Sequence, residues 1–203
     1  MVMRRSKVLL VVLACLFISA CASGPPTRPD NLCSIFSQKY GWPGASVKAE
    51  KKWDVPKHVS LAIMAQESAF RSKARPPRKY YLGFIPGPRQ SSAYGYAQAI
   101  RGTWKGYLSE TGEYWREPDD FVDALDFINW YVTSVAETNN LKVTDTYNIY
   151  LNYHEGPAGY RRGSYESKPW LKEVAKKVDR RAQQYARQYE GCKKDFRKRW
   201  FFF

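Results

Sequence analysis

Apolar positions along this 203-residue chain recur mostly at helical spacing, three and four residues apart. In the clearest case, residues 119–138, the apolar stripe consists of Phe121, Leu125, Ile128, Val132 and Val135. A second long stripe covers residues 168–189, opposite a face rich in Lys and Arg. Shorter helices are predicted over residues 31–40, 45–53, 56–67, 101–110 and 144–154. The chain is therefore predicted to be a mainly α single domain with about six helices and little sheet.

Capping residues and breakers mark the ends of these helices. Asp54 is the predicted N-cap of the helix over residues 56–67, and Asp119 and Asp120 suit the start of the 119–138 helix. Gly156 and Pro157 are predicted to close the 144–154 helix and to open a loop over residues 156–167.

Residues 71–93 interrupt the helical pattern. They contain four Pro and two Gly, so no regular helix can run through them. Tyr80, Tyr81, Leu82 and Phe84 are predicted to form a short strand or hairpin arm within this insertion.

Glu67 lies at the end of the helix before this insertion. Val59, Ile63 and Glu67 are spaced i, i+4, i+8, so they share the stripe that faces a core or a cleft. Burial there would raise the pKa of the carboxyl and keep it protonated near neutral pH, as a general acid requires. The alternative is an acid at a helix end that turns outward and is simply solvated.

The first residues are typical of an export signal. Arg4, Arg5 and Lys7 precede a short apolar run over residues 8–18, which is too short to span a bilayer comfortably. The following Ile18-Ser19-Ala20-Cys21 resembles a bacterial lipobox, which implies cleavage before Cys21 and acylation of that residue. Ala22 after the cysteine favours the outer membrane, facing the periplasm. The alternative is an ordinary signal peptide with a chance cysteine.

The charge and the cysteines agree with an exported protein. Removing residues 1–20 takes away three basic and no acidic side chains, so the net charge falls from +14 to +11. This charge favours polyanionic partners such as the cell wall or anionic lipid, and export argues against nucleic acid. Cys33 and Cys192 remain after processing and are predicted to pair in an oxidising compartment, with two free thiols as the alternative.

The predicted organisation has four parts. Residues 1–20 are a signal peptide, 21–32 a lipidated Pro-rich tether, 33–195 the folded domain and 196–203 a basic, aromatic tail. The tail is expected to pack on the domain, with a membrane interface as the alternative. No Cys or His cluster indicates a metal site.

Three short motifs follow one another along the chain. They are Gln66-Glu67-Ser68 at a helix end, Ala93 to Gln98 after the insertion, and Leu151 to Pro157 at a later helix end. In this order they resemble the soluble lytic transglycosylase family, which has a lysozyme-like fold of the goose-type class. The resemblance covers roughly residues 45–160. The second motif keeps Gly95 and Gln98 but lacks the family's Leu-Met, and His154 stands where the family has Asn.

The resemblance implies cleavage of peptidoglycan glycan strands by a monomeric enzyme without a cofactor. Glu67 would protonate the oxygen between MurNAc and GlcNAc, and would then act as base while the MurNAc C6 hydroxyl closes a 1,6-anhydro ring. One carboxyl suffices because the nucleophile belongs to the substrate, whereas water-using glycosidases usually need two. Glu155 is the best second acid in the sequence.

The other motif residues are predicted to bind substrate: Ser68, Tyr94, Gly95, Gln98, Tyr153 and His154. Tyr153 is expected to place its hydroxyl against Glu67, with a core aromatic as the alternative. Gln98 offers a donor and an acceptor to an amide of the substrate. Tyr94 would stack on a sugar, and Gly95 would let the backbone approach the sugar or only make a turn. Ser68 would bind glycan or hold the Glu67 loop, and for His154 a cleft role and a structural role are both open.

Two other functions share the same features. A glycan-binding lipoprotein without activity is favoured by the altered second and third motifs. A hydrolytic muramidase would need a second carboxylate and would leave reducing ends.

Overall fold

The computed structural model of this protein describes residues 24–200, with side chains for residues 24–196. The predicted signal peptide, Cys21 and the end of the predicted tail lie outside these residues. Within them are seven helices: α1 (Leu32–Gln38), α2 (Trp42–Trp53), α3 (Lys57–Ser68), α4 (Arg101–Thr111), α5 (Phe121–Asn139), α6 (Thr146–Arg161) and α7 (Pro169–Trp200). The mainly α, lysozyme-like class predicted from the sequence is confirmed.

Helix α3 is the centre of the core. Seven of its residues from Val59 to Ala65 are buried, on every face of the helix, which is typical of a helix surrounded by other elements. It packs against α2, α5 and α7. The α7 stripe of Leu171, Val178, Ala182 and Tyr185 supplies one wall. The helix end that carries Glu67 is therefore held by packing from three directions.

Two predicted helix ends are wrong. Asp54 does not cap α3: it adopts a left-handed conformation (φ 53°) at the C-terminus of α2, and α3 starts after Pro56 without a side-chain cap. Helix α6 does not stop at His154, because Gly156 (φ 71°, ψ 160°) bends the chain and a further helical segment then reaches Arg161. A Gly tolerates this conformation, and Pro157 suits the first turn of the resumed helix.

The insertion contains a β-hairpin, as its sequence predicted. Strands β1 (Arg78–Tyr81) and β2 (Ile85–Arg89) pair antiparallel, with Tyr81 opposite Ile85. Leu82 and Phe84 form the turn rather than a strand. The base of the hairpin joins the domain beside the second motif, because the Gly95 N–H donates to the Ala74 carbonyl at 3.0 Å.

The chain ends are tied to each other. The disulfide predicted between Cys33 and Cys192 is present and joins α1 to α7. Part of the predicted tether is docked, since Pro26 is buried and the Tyr185 hydroxyl donates to the Pro29 carbonyl. At the other end α7 continues past residue 189 to Trp200.

Phe196, the first residue of the predicted tail, packs on the domain. It is buried and meets Phe36 of α1 edge to face at 5.6 Å between ring centroids. The side chains beyond it lie outside the described residues. Between residues 24 and 200, no helix is long and apolar enough to cross a membrane.

Candidate active site

Glu67 lies in the last turn of α3 and is half-buried. The helix ends at Ser68, and both Ala69 (φ 49°) and Phe70 (φ 60°) take the left-handed conformation that turns the chain away. The buried Phe70 ring packs against Trp42, with 5.6 Å between the ring centroids. This anchor fixes the helix end and so the position of the carboxyl.

The pKa of Glu67 is suited to proton donation. Burial raises it from the ordinary value to about 7, and the hydrogen bond from Tyr150 offsets a smaller part of this rise. A carboxyl with such a pKa is substantially protonated at neutral pH and can both give and take a proton. The prediction that Glu67 lies on a desolvated stripe therefore agrees with its environment.

The hydroxyl that contacts Glu67 belongs to Tyr150, not to Tyr153. The Tyr150 hydroxyl donates to Oε1 of Glu67 at 2.9 Å, whereas the Tyr153 hydroxyl donates to the Ala97 carbonyl at 2.7 Å. The expected hydrogen bond between Tyr153 and Glu67 is thus corrected. The two tyrosines lie one turn apart on α6 with nearly parallel rings, so the i, i+3 spacing puts both on one face of the helix but does not say which hydroxyl meets Glu67.

Tyr153 links the third motif to the second. Its hydroxyl ties α6 to the loop of the second motif at Ala97. Burial and the nearby Glu67 carboxyl both raise the pKa of Tyr153 well above its ordinary value, so it remains a neutral donor. Its ring also lines an open cavity of about 250 Å³ together with Gln98, Thr103, Tyr131 and His154. Glu67 and Tyr150 do not line this cavity, but the Tyr153 ring lies parallel to the Tyr150 ring, with 6.5 Å between the centroids.

Gly95 and Gln98 shape the loop of the second motif. Gly95 has φ 79°, and a Cβ there would lie 1.9 Å from the Pro118 carbonyl oxygen, so only Gly fits this close approach between backbones. The Gln98 amide nitrogen donates to the carbonyls of Ala74 and Gly95, both at 2.9 Å. Both amide hydrogens thus hold the loop, while the side chain still lines the cavity.

Ser68 and Tyr94 use their hydroxyls within the protein. The buried Ser68 hydroxyl donates to the Met64 carbonyl at 3.2 Å and secures the last turn of α3. The Tyr94 hydroxyl donates to Asp119 at 2.9 Å, and the Arg75 guanidinium lies 3.9 Å above its ring centroid. These contacts support the loop-holding alternative for Ser68 and leave Tyr94 half-buried, with its hydroxyl and its ring both in contact with the protein.

Glu155 lines the same cavity as His154, but its contacts differ from those of Glu67. Both of its oxygens accept from Lys168 Nζ, at 2.7 and 2.9 Å, and Ser164 and His154 Nδ1 also contact them. Burial alone would raise the pKa of Glu155, but the hydrogen bonds from these three neighbours lower it to about 2. Glu155 is therefore an ionised, fully paired carboxylate. His154 is partly exposed and also meets the Trp170 ring edge at 5.2 Å.

The comparisons agree with this geometry. The family model of the transglycosylase SLT domain matches residues 9–192, a span that contains all three motifs. The chain belongs to this transglycosylase family, and membership indicates lytic transglycosylase activity on peptidoglycan. No curated protein matches the chain. Among the described residues, no group of three or more acidic, His or Cys side chains is placed to hold a metal ion.

Proposed function

We propose that this protein cleaves the bond between MurNAc and GlcNAc in glycan strands and leaves a 1,6-anhydro-MurNAc end. The proposal rests on the contrast between the two candidate acids of the protein, Glu67 and Glu155. Glu67 has a pKa of about 7 and a single hydrogen bond from Tyr150, whereas Glu155 is ionised and paired on both oxygens. One carboxyl is thus suited to proton transfer, and one is all that this reaction needs.

The reaction uses Glu67 twice. Tyr150 occupies Oε1, so Oε2 carries the proton, which passes to the glycosidic oxygen as the bond from that oxygen to C1 of MurNAc breaks. The carboxylate then takes the proton of the MurNAc C6 hydroxyl while O6 forms the new bond to C1. No water is consumed and Glu67 ends protonated, ready for the next cycle.

The remaining residues of the site divide into two groups. We propose that Gln98, Tyr153 and His154 contact the glycan, because their side chains line the open cavity at the second and third motifs. Ser68, Tyr94 and Gly95 do not line this cavity, and we propose that they hold the loops through their contacts within the protein.

Product analysis tests the proposal. Purified peptidoglycan is digested with the protein, and the fragments are measured by mass spectrometry. We expect fragments that end in anhydro-MurNAc, one water lighter than hydrolytic products. Reducing ends would make the protein a hydrolytic muramidase, and an absence of cleavage would make it a glycan-binding protein on the same fold.

We further propose that the protein is a lipoprotein anchored through Cys21 in the outer membrane and facing the periplasm. The lipobox-like Ile18-Ser19-Ala20-Cys21 supports the anchor, and the Cys33–Cys192 disulfide fits an oxidising compartment. Cys21→Ala is expected to move the protein from the membrane fraction to the soluble periplasmic fraction on cell fractionation. Unchanged association would show that another part of the protein, such as the C-terminal tail, or the cell wall holds it in the membrane fraction.

A further inference from the structure

The tip of the β-hairpin exposes a cluster of large apolar side chains. The hairpin tip consists of Tyr80, Tyr81, Leu82, Phe84 and Ile85. Leu82 is 82% exposed and Phe84 is 73% exposed. All five residues lie within residues 80–85, where only Gly83 separates them. Apolar residues scattered singly on a surface need no explanation, but a contiguous exposed patch marks an interaction site.

The domain itself gives no reason for this exposure. Strands β1 and β2 pair with each other, and neither makes extensive contact with a helix of the described chain. Leu82 also takes a left-handed conformation (φ 51°), which is uncommon for a bulky residue. Gly83 (φ 79°) shares this conformation, and the Phe84 N–H closes the turn by donating to the Tyr81 carbonyl at 3.2 Å, so the hairpin turn accounts for the backbone of Leu82 but not for the exposure of its side chain.

The base of the hairpin is strongly basic. Residues 71–93 contain six Lys or Arg and no Asp or Glu. Arg71, Lys73, Arg75 and Arg89 line an open cavity of about 650 Å³ at this base. We call these four residues, together with Arg78 and Lys79 of β1, the basic collar. An apolar tip above a basic collar is complementary to a bilayer with anionic headgroups, since aromatic side chains prefer the interface and cations attract the phosphates.

We propose that the hairpin tip inserts into the surface of an anionic lipid bilayer, with the basic collar on the phosphate headgroups. The aliphatic Leu82 and Ile85 favour lipid over glycan, because they have no flat ring to stack on a sugar. Pro25 lines the same basic cavity, so the described chain begins beside the collar. Cys21 is three residues before Gly24, so a lipid on Cys21 would attach within about 11 Å of Gly24, on this side of the domain.

Vesicle binding tests the proposal. The protein used starts at Gly24, because the buried core from Leu32 to Phe196 and the disulfide all lie within it. Sedimentation with phosphatidylglycerol-containing vesicles is compared with sedimentation with pure phosphatidylcholine vesicles. We expect clear preference for the anionic vesicles, weakened by salt.

Two variants and a matched control locate the contact. Leu82→Ser with Phe84→Ser is expected to weaken vesicle binding at least about tenfold, even with partial burial of the two side chains. Lys73→Gln with Lys79→Gln is expected to weaken binding to anionic vesicles by about fivefold per cation. The control, Tyr114→Ser with Trp115→Ser, removes two rings that are 68% and 72% exposed and belong to the loop between α4 and α5, outside the hairpin. It should bind vesicles as the unmodified protein does.

Three outcomes would overturn the proposal: equal binding to neutral and anionic vesicles, unchanged binding of the Leu82 and Phe84 variant, or loss of binding in the control as well. Sedimentation with isolated peptidoglycan distinguishes membrane binding by the hairpin from the remaining alternative, which is glycan binding. If the Leu82 and Phe84 variant loses peptidoglycan binding but keeps vesicle binding, the hairpin is a glycan surface. Thermal melting checks that each variant is folded, and Glu67→Gln should bind vesicles normally because membrane contact does not require cleavage.

Discussion

Glu67→Gln is expected to abolish glycan cleavage while the protein stays folded and still binds peptidoglycan. The amide has nearly the same shape and can still accept the hydrogen bond from Tyr150, but it cannot give a proton. Loss of general acid–base catalysis lowers the rate by at least about 10²–10⁴-fold. Release of soluble fragments from purified peptidoglycan measures the effect, and sedimentation with the same material measures binding.

The pH profile provides a second measurement on the same group. The acid form of Glu67 starts the reaction, so kcat/KM of the unmodified protein should fall as the pH rises through about 7. Activity that survives Glu67→Gln, or a profile without this decline, would show that another group is the acid.

Although Glu67→Gln is expected to lose activity, it should be more stable than the unmodified protein at high pH. The pKa of Glu67 in the folded protein lies above its ordinary value of 4.5, so stability is full below pH 4.5 and is lost as the pH rises through about 7. Gln removes this penalty, so the variant should be more stable by about 1–3 kcal/mol at pH 8 and unchanged at pH 4. Thermal denaturation at the two pH values tests this.

Glu155→Gln is expected to lower the free energy of unfolding by about 2–3 kcal/mol at pH 7. The substitution removes the charge that pairs with Lys168, although Lys168 is 37% exposed and can regain some hydration. Cleavage by the folded fraction should be nearly unchanged, because Glu155 is ionised and takes no part in proton transfer. Chemical denaturation gives the stability, and fragment release per folded molecule gives the activity.

The loss of stability in Glu155→Gln should be larger at neutral pH than in acid. The pKa of Glu155 in the folded protein, about 2, lies below the ordinary 4.5, so the stabilisation is present above pH 4.5 and is lost as the pH falls toward 2. The difference in free energy of unfolding between Glu155→Gln and the unmodified protein should therefore become smaller as the pH falls. Glu173→Gln is the control, since its exposed pair with Lys176 should contribute little. If Glu155→Gln is folded but inactive, and the unmodified protein leaves reducing ends, the protein is instead a two-carboxylate hydrolase.

The sequence by itself determined the helical class, the general-acid candidate and the cysteine pair. Periodicity reports contacts within one or two turns, so the α5 stripe and the shared face of Val59, Ile63 and Glu67 are local properties. The Cys33–Cys192 bridge followed from the count of cysteines and the export signal, and needed no geometry. The order of the three motifs was enough to indicate the family.

Only the tertiary structure decided which side chains meet. Whether Tyr150 or Tyr153 reaches Glu67 depends on how α6 lies against α3, which is set by packing of residues distant in sequence. The same holds for Glu155, because its ion pair with Lys168 forms only in the folded protein and makes it a structural carboxylate. The need for Gly at position 95 comes from the Pro118 backbone, more than twenty residues away in the sequence. Local pattern cannot contain such information, because these contacts exist only once the chain has folded.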